Sequence, residues 1–389
     1  MAYTVLARKY RSATFDKVIG QDHVARTLQR AIESGRVAHA FLFTGTRGVG
    51  KTSMARIMAK ALNCEQASQP TATPCGECKT CLAIARGDDM DVIEIDAASN
   101  TGVDDVREII ENSRFRPAKS RFKVYIIDEV HMLSRGAFNA LLKTLEEPPE
   151  HVKFILATTE TEKVPATILS RCQRYDFRNI ATDEIVQHLQ ALTKDENVKA
   201  EDAALFLVAR AGAGSMRDAL SLLDRLLSLG ETTLTVEMIE QLLGMPRSQA
   251  IFDLAQHIGA ADVKKTLEAA DKLMREGLSA ETLVISLADH FRNLLLLAVC
   301  GAESNLVEVP QESLSELVAQ AGAFDTLALT QSIAILEELR RSLRQTSAGR
   351  ALLDATLVRL ALAEQFTKLE VLLAGGDAGS VEAKKKTLK

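Results

Sequence analysis

The chain has 389 residues, a length that favours roughly two or three domains. Hydrophobic residues make up 47% and charged residues 25%, a composition that excludes a disordered chain and a small disulfide-stapled scaffold. The net charge of −5 argues against a surface covered with phosphate-binding cations, although a local basic face is compatible with it.

The apolar and N-terminal segments lack the pattern of a membrane or secreted protein. The longest strongly apolar run, 294–300, is far shorter than the roughly 20 residues that span a bilayer. Residues 1–15 contain Arg8, Lys9 and Arg11 but no apolar core of a signal peptide. We therefore expect a cytoplasmic protein with no membrane partner.

Short β-rich runs alternate with helical patterns in the first half of the chain. The runs are 40–44, 91–96, 124–128 and 154–158. Strands separated by helices are typical of a parallel sheet covered on both faces. The first half is therefore predicted to be an α/β domain.

The first run leads into a glycine-rich turn that fits the phosphate-binding pattern G-x-x-x-x-G-K-[ST] and is followed by a helical pattern. Backbone amides of such a loop and the start of the helix surround phosphate oxygens. Lys51 is expected to reach the β- and γ-phosphates, and Thr52 to ligate Mg²⁺. A chance glycine-rich turn is the alternative. The predicted ATP-binding residues are Gly45, Thr46, Arg47, Gly48, Val49, Gly50, Lys51 and Thr52.

Four cysteines follow within 18 positions, namely Cys64, Cys75, Cys78 and Cys81. In a chain without a signal peptide this density indicates a metal site rather than disulfides. Four thiolates complete a tetrahedral Zn²⁺ site and leave no ligand position for water, so the site is predicted to be structural. An iron–sulfur cluster and unligated thiols are the alternatives. Cys172 and Cys300 are predicted to be plain core residues.

The third run ends at Asp128 and is followed by Glu129, at the position where a buried parallel strand presents carboxylates to a ligand. Asp128 is expected to hold Mg²⁺ and Glu129 to polarise the attacking water. An acidic pair in a solvated loop is the alternative for this pattern taken alone.

From about Thr182 the strands are predicted to stop. Helical patterns run to about Gly244, and a second helical block begins near Pro246. Apolar residues at three- and four-residue steps predict buried stripes in that block. They are Leu283, Leu287, Phe291, Leu294, Leu295 and Ala298, then Ile333, Leu336, Leu339 and Leu343. The basic end, 373–389, is predicted to be a disordered tail.

Taken together, these motifs resemble the gamma/tau family of bacterial DNA polymerase III, the AAA+ ATPases of the sliding-clamp loader. The resemblance is dense from residue 1 to about residue 225 and weaker beyond. Besides the phosphate loop and the cysteines, the segments that carry it are 5–11, 18–21, 94–99, 127–134, 139–149, 168–172 and 214–220.

The resemblance implies roles for further residues. Arg171, in the Ser-Arg-Cys motif, is implied as an arginine finger reaching the ATP of a neighbouring subunit; a surface ion pair is the alternative. Arg217 is implied as the sensor-2 arginine, with an ordinary helix-face arginine as the alternative. Either Thr158 or Thr159 is implied as sensor 1. Val18 and Ile19 are implied to pack against the adenine, with packing in the hydrophobic core as the alternative.

The resemblance also implies that DNA is held by backbone contacts, and candidate DNA-facing residues are Arg107, Lys143 and Thr167.

Two departures from the family stand out. Ser12 occupies a usual proline position, and the ten-residue gap after Cys64 is slightly long. Because the sequence stops at Lys389, it resembles the short form or a shortened version of a longer member, whose extra domains contact polymerase and helicase.

The predicted architecture is an AAA+ domain over 1–179 with a zinc module at 64–81, a helical lid over 180–244 and a helical collar over 245–372. The implied function is an ATP-driven motor that loads the sliding clamp onto primed DNA, with ATP, Mg²⁺ and Zn²⁺ bound. Implied partners are the delta and delta-prime subunits, further copies of the chain, the clamp and primer-template DNA. No polymerase site is expected.

Two alternatives remain open at this stage. The chain could be a non-hydrolysing scaffold of the same assembly, against which the intact Lys51, Thr52, Asp128 and Glu129 argue. It could also be another AAA+ DNA motor, such as a branch-migration helicase. The cysteine insertion and the long helical block that begins near Pro246 argue against this alternative.

Overall fold

The computed structural model of the chain describes residues 5–99, 101–230, 233–304, 306–307, 309, 311–345 and 348–363. Two compact units divide the chain. The first comprises Met1–Val198 and Leu205–Glu231, and the second comprises Lys199–Ala204 and Thr232–Lys389. The predicted basic tail, 373–389, lies outside the described residues.

A five-stranded, fully parallel sheet forms the centre of the first unit. Its strands are β1 (Ala40–Thr44), β2 (Val92–Asp96), β3 (Lys123–Asp128), β4 (Val152–Thr158) and β5 (Gln173–Asp176), in the order β2-β3-β4-β1-β5. The middle strands β1 and β4 are buried along their whole length, as continuous apolar runs require when both faces are covered. The predicted α/β parallel sheet is confirmed.

Helices cover both faces of this sheet. Alternate strand residues enter opposite cores, because successive side chains of a strand point to opposite faces. Phe41 and Phe43 pack with α2 and α3, whereas Leu42 packs with α5 and α6. The helices of this part of the chain are α1 (Leu6–Lys9), α2 (Asp22–Glu33), α3 (Lys51–Asn63), α4 (Lys79–Arg86), α5 (Val103–Ser113), α6 (Arg135–Glu146), α7 (Ala166–Leu169), α8 (Thr182–Asp195), α9 (Asp202–Ala211) and α10 (Met216–Leu227).

Three 3₁₀ helices complete the first unit: Phe15–Lys17, Val130–Met132 and Thr161–Lys163. Serines begin two of the longer helices. Ser134 accepts a hydrogen bond from the amide of Ala137 at the start of α6, and Ser215 accepts one from the amide of Asp218 at the start of α10. Such side chains satisfy amides that have no partner within the helix.

The second unit is almost entirely helical. Its elements are β6 (Lys199–Ala200), β7 (Thr233–Leu234), α11 (Val236–Leu243), α12 (Ser248–Gly259), α13 (Val263–Arg275), α14 (Ala280–Cys300), α15 (Gln311–Ala321), α16 (Thr326–Leu343) and α17 (Gly349–Ala361). Its core joins α12 to α17 around Phe291, which is fully buried. Gly244 ends α11 in the left-handed conformation, at the residue where the sequence predicts a boundary.

Three sequence predictions are wrong in detail. Strand β5 was missed. Strands do not stop at Thr182, because β6 and β7 form a short parallel pair later in the chain. On α14, Ala298 is exposed, and Leu297 is the buried residue of that turn.

Among the described residues, α14 is the one helix long and apolar enough to cross a membrane. Uninterrupted apolar runs do not reveal this longer segment, because Asp289, His290, Arg292 and Asn293 interrupt it in the sequence. Its residues Leu283, Leu287, Phe291 and Leu294 are buried in the core of the second unit. Core helices of soluble proteins have the same length and composition, so this helix is weak evidence for a membrane span.

Candidate nucleotide site and candidate metal centre

A cavity of about 800 Å³ lies in the first unit beside the carboxyl ends of β1 and β3. This is the edge at which open parallel sheets bind ligands. The cavity brings together Val18, Ile19, the loop residues 47–52, the acidic pair 128–129 and Arg217. Gly45, Thr46, Thr158, Thr159 and Arg171 do not line it.

The phosphate-type loop curls because all three of its glycines have positive φ. At Gly45 (φ 140°) an added Cβ would lie 2.5 Å from the carbonyl oxygen of Phe177. At Gly48 (φ 78°) it would lie 1.9 Å from Oγ of Ser215. The loop therefore approaches neighbouring segments more closely than any side chain allows.

The ammonium of Lys51 is held inside this loop. Its Nζ donates hydrogen bonds to the carbonyls of Gly45, at 2.7 Å, and Thr46, at 2.8 Å. Burial lowers the pKa of Lys51, and the nearby carboxylates of Glu129 and Asp128 oppose that effect. The result is a preoriented cation at the first turn of α3, where backbone amides also favour an anion.

Thr52 and Asp128 meet across the site. The hydroxyl of Thr52 donates to Oδ2 of Asp128 at 2.7 Å, which joins the start of α3 to the end of β3. Hydroxyl and carboxylate oxygens beside a phosphate loop are the hard donors that Mg²⁺ prefers. The pair therefore fits a magnesium site.

Glu129 follows Asp128 in a left-handed conformation (φ 48°), rare for a residue with a side chain. Its Oε2 accepts hydrogen bonds from the hydroxyl of Thr159, at 2.9 Å, and from the amide of Thr159, at 3.3 Å. Thr158 is fully buried, and its hydroxyl lies 3.0 Å from Nδ1 of His131. The two threonines thus have different partners, which the sequence could not show.

The N-terminal segment adds cavity residues that the sequence analysis did not assign, namely Arg8, Tyr10 and Arg11. Hydrogen bonds from Lys9 and Tyr10, both at 2.6 Å, fix this segment to Glu196 and hold the pKa of Glu196 below its ordinary value. The only signal for these residues was their place in the segment 5–11 that carries the family resemblance.

His188, on α8, is a further cavity residue that the sequence analysis missed. Burial lowers its pKa, which favours the neutral imidazole. An isolated histidine on a helical pattern gives no sequence signal for such a position.

Arg171 is held within its own chain, outside the cavity. It forms an ion pair with Glu146 and donates to the carbonyl of Thr167 at 2.6 Å. Its Nε is buried and has no hydrogen-bond partner among the described residues. The surface ion pair, which is the alternative to an arginine finger, is therefore present.

The three candidate DNA-facing residues, Arg107, Lys143 and Thr167, are all exposed. Arg107 forms an ion pair with Asp104, one turn away on α5, at 2.9 Å.

The four predicted cysteine ligands lie together, Cys64 at the end of α3, Cys75 and Cys78 in the loop that follows, and Cys81 in the first turn of α4. Their sulfurs are all within 4.8 Å of one another, and those of Cys75 and Cys81 are 3.9 Å apart. Sulfurs bound tetrahedrally to one Zn²⁺ at about 2.3 Å are separated by about 3.8 Å, so the cluster fits this ion. The backbone amide of Cys78, and after it that of Glu77, donates to the sulfur of Cys75 and lowers the pKa of this thiol to about 7.

Arg121 ties this insertion to the end of α3. Its guanidinium donates to the carbonyls of Leu62 at 3.0 Å, Cys64 at 2.8 Å and Ala67 at 2.6 Å.

The remaining cysteines lie elsewhere. Cys172 is partly buried, and burial raises its pKa to about 12, whereas Cys300 is exposed, so the prediction of a core residue is wrong for Cys300.

Sequence models of three protein families match consecutive parts of the chain. The model described as DNA polymerase III, delta subunit, matches residues 20–181. The model of the DNA polymerase III clamp loader subunit, ATPase lid domain, matches 184–232, and that of DNA polymerase III subunits gamma and tau domain III matches 234–374.

Curated relatives align with most of the chain. DNA polymerase III subunit tau of Bacillus subtilis is 44% identical over 362 residues, which are 92% of this chain and 63% of that protein. The tau subunit of Escherichia coli is 43% identical over 82% of this chain and 50% of its own length. DNA polymerase III subunit gamma of Buchnera aphidicola is 42% identical over 76% of this chain and 81% of its own length. The chain thus spans about half to two thirds of the tau proteins.

Proposed function

The chain belongs to the gamma and tau family of DNA polymerase III clamp-loader subunits, and from this premise we propose that it is an ATP-hydrolysing motor subunit that loads the sliding clamp onto primed DNA. The observation that carries the proposal is the convergence of Lys51, Thr52, Asp128 and Glu129 at one cavity. A scaffold subunit needs none of these four side chains.

Each residue of the phosphate site has a proposed task. The amides of residues 47–50 and the ammonium of Lys51 bind the ATP phosphates. Thr52 and Asp128 hold Mg²⁺, which supplies charge neutralisation on those phosphates when bound. Glu129 accepts a proton from the attacking water or orients it. Val18 and Ile19 pack against the adenine.

Two further polar residues are proposed to sense the phosphate. Thr159 is the better candidate for sensor 1, because its hydroxyl donates a hydrogen bond to Glu129, whereas Thr158 is buried against His131. Arg217 lines the cavity from α10 and supplies a cation to the γ-phosphate. Arg217 would thereby link the state of the nucleotide to the position of α10.

Arg171 is proposed to act on the ATP of a neighbouring subunit. Its side chain lies outside the cavity of its own chain, as expected for a group that acts in trans. Phosphoryl transfer gains most from such a cation at the transition state. In the assembled complex the ion pair between Arg171 and Glu146 would therefore either break or hold the guanidinium in the direction of the neighbouring ATP.

The other parts of the chain have proposed roles at the level of the assembly. Residues 1–179 form the nucleotide domain, 180–244 the lid and 245–372 a collar. The collar joins copies of the chain to delta and delta-prime subunits in the cytoplasm. The complex binds the clamp and primer-template DNA, with Arg107, Lys143 and Thr167 as candidate DNA contacts. The four cysteines hold a structural zinc.

The test is steady-state ATP turnover by the full chain reconstituted with delta and delta-prime subunits. We expect strong stimulation by clamp plus primed DNA together, and none when Lys51→Ala replaces the wild-type chain. A negligible rate in the wild-type assembly would overturn the motor proposal in favour of a scaffold. Equal stimulation by four-way junction DNA without clamp would favour a branch-migration motor.

A further inference from the structure

His131 occupies an unusual place for an ionisable residue. It lies in the 3₁₀ helix Val130–Met132, directly after β3, and its side chain is only 6% exposed. Its neighbour Met132 is 46% exposed, so the fold buries the imidazole and leaves the apolar side chain in solvent. Buried polar rings persist where their hydrogen bonds are satisfied.

Both ring nitrogens of His131 contact oxygen atoms around the proposed catalytic carboxylate. Nδ1 lies 3.0 Å from the hydroxyl of Thr158 and 3.5 Å from Oε2 of Glu129. Nε2 lies 3.2 Å from Oε1 of Glu160. The ring therefore bridges the end of β3 to the end of β4 through one hydroxyl and two carboxylates.

Oε2 of Glu129 is consequently hydrogen-bonded by Thr159 and approached at 3.5 Å by the imidazole, whose Nδ1 has its hydrogen-bond contact with the hydroxyl of Thr158. Thr159 donates to Oε2 through its hydroxyl and its amide, and the imidazole approaches the same atom. No described residue donates a hydrogen bond to the other oxygen, Oε1. Because Glu129 lines the cavity, fixing Oε2 limits where Oε1 can accept a hydrogen bond from water.

We infer that His131 is a positioning residue that holds the carboxylate of Glu129 in its catalytic orientation through Nδ1. A histidine with a purely structural role needs only backbone hydrogen-bond partners. His151 shows this alternative, because its Nε2 faces the carbonyls of Ser113 and Phe115 at the opposite end of β4. His131 instead contacts the carboxylate on which turnover is proposed to depend.

The inference rests on the proposed ATP hydrolysis, and a double-mutant cycle in the reconstituted assembly tests it. The proteins are wild type, His131→Ala, Glu129→Gln and the double variant, with His151→Asn as the matched histidine control. We expect His131→Ala to lower kcat about tenfold or more while KM and ATP binding change little. In the Glu129→Gln background the same change should cause no further loss.

Two conservative variants separate the two nitrogens. Asparagine places an amide atom near the position of Nδ1, and glutamine places one near Nε2. His131→Asn should therefore retain most of the turnover, whereas His131→Gln should resemble His131→Ala. These differences in kcat would not follow from a lower melting temperature, which is measured for each variant.

The outcomes distinguish this inference from the proposed function. Absence of turnover in the wild-type assembly would overturn both. Wild-type turnover with an unchanged kcat in His131→Ala would overturn the role of His131 alone. So would an equal loss in the wild-type and Glu129→Gln backgrounds, or better rescue by glutamine than by asparagine.

Discussion

Position 48 requires glycine for two separate reasons. Its φ of 78° lies in the left-handed region, which costs other residues about 1–2 kcal/mol. An added Cβ would also lie 1.9 Å from Oγ of Ser215. Ser215 caps α10 through Asp218, so it cannot withdraw without giving up that hydrogen bond.

We expect Gly48→Ala to weaken ATP binding by about tenfold or more, because the loop must move away from Ser215 and carry its amides with it. Titration with a fluorescent ATP analogue measures the change. Gly35→Ala is the matched control, because Gly35 has a similar φ of 67° but open space around it. Equal, near wild-type affinities for the two variants would contradict the role of the close contact.

The site residues that could be predicted from the sequence are those placed by a single strand and the helix or loop directly after it. Lys51 and Thr52 belong to one strand–loop–helix unit, and Asp128 ends an apolar run, so local spacing was sufficient. Tyr10 and His188 reach the cavity only through tertiary folding, and no spacing rule predicts them. The same is true of the contact between Arg171 and Glu146.

At the scale of elements, Asp91 connects the start of β2 to the loop before β3. Its two carboxylate oxygens accept hydrogen bonds from three successive amides, those of Ala118 at 2.7 Å and of Lys119 and Ser120 at 2.8 Å. Burial alone would raise the pKa of Asp91, but the three amides outweigh it and lower the pKa. The ionised carboxylate therefore stabilises this loop.

Asp91→Asn should weaken this anchor by about 2 kcal/mol at neutral pH, because the amide group replaces an acceptor with a donor. Local hydrogen exchange at residues 118–120 should then be about thirtyfold faster. The difference from wild type should shrink as the pH falls below about 4, since a lowered folded pKa means that its stabilisation is lost on protonation.

Comparison of both proteins at each pH removes the intrinsic pH dependence of exchange. Asp88→Asn is the matched control, because Asp88 is exposed and its ion-pair partner within the described part of the chain is the neighbouring Arg86. Unchanged exchange at residues 118–120 in Asp91→Asn at pH 7 would show that the carboxylate does not anchor the loop.

The cysteine insertion is a second element-scale feature. It follows α3, a 13-residue helix about 20 Å long whose other end carries Lys51. We expect about one zinc per chain, lost in Cys75→Ser and retained in Cys300→Ser, as elemental analysis would measure. Because the two sites lie at opposite ends of α3, zinc loss should leave ATP affinity unchanged. A large fall in ATP affinity on chelation would contradict a purely local structural role.

Strand β5 shows where prediction of elements fails. Its sequence, Gln173 to Asp176, has one buried residue, Tyr175, and three exposed ones. The strand lies at the edge of the sheet and pairs only with β1, so it needs no continuous apolar run. The inner strands were predictable because burial on both faces requires such a run. Edge position depends on the complete topology, which a local pattern does not contain.

At the scale of the whole molecule, the proposed catalytic site is divided between two copies of the chain. Lys51 belongs to the cavity of one subunit, whereas Arg171 lies outside that cavity and is proposed to complete the next one. A chain with a defective Lys51 still supplies an intact Arg171 to its neighbour, and a chain with a defective Arg171 still has an intact phosphate loop. The two defects should therefore complement each other when such chains are neighbours.

Assemblies that contain both Lys51→Ala and Arg171→Ala chains provide the last prediction. At some interfaces an intact phosphate loop from the Arg171→Ala chain meets an intact arginine from the Lys51→Ala chain. ATP turnover by the mixture should therefore exceed the average of the two homogeneous assemblies. Assemblies in which every chain carries both substitutions contain no such interface and serve as the control. A mixture that only averages the two defective rates would place Arg171 in its own subunit's site or outside catalysis.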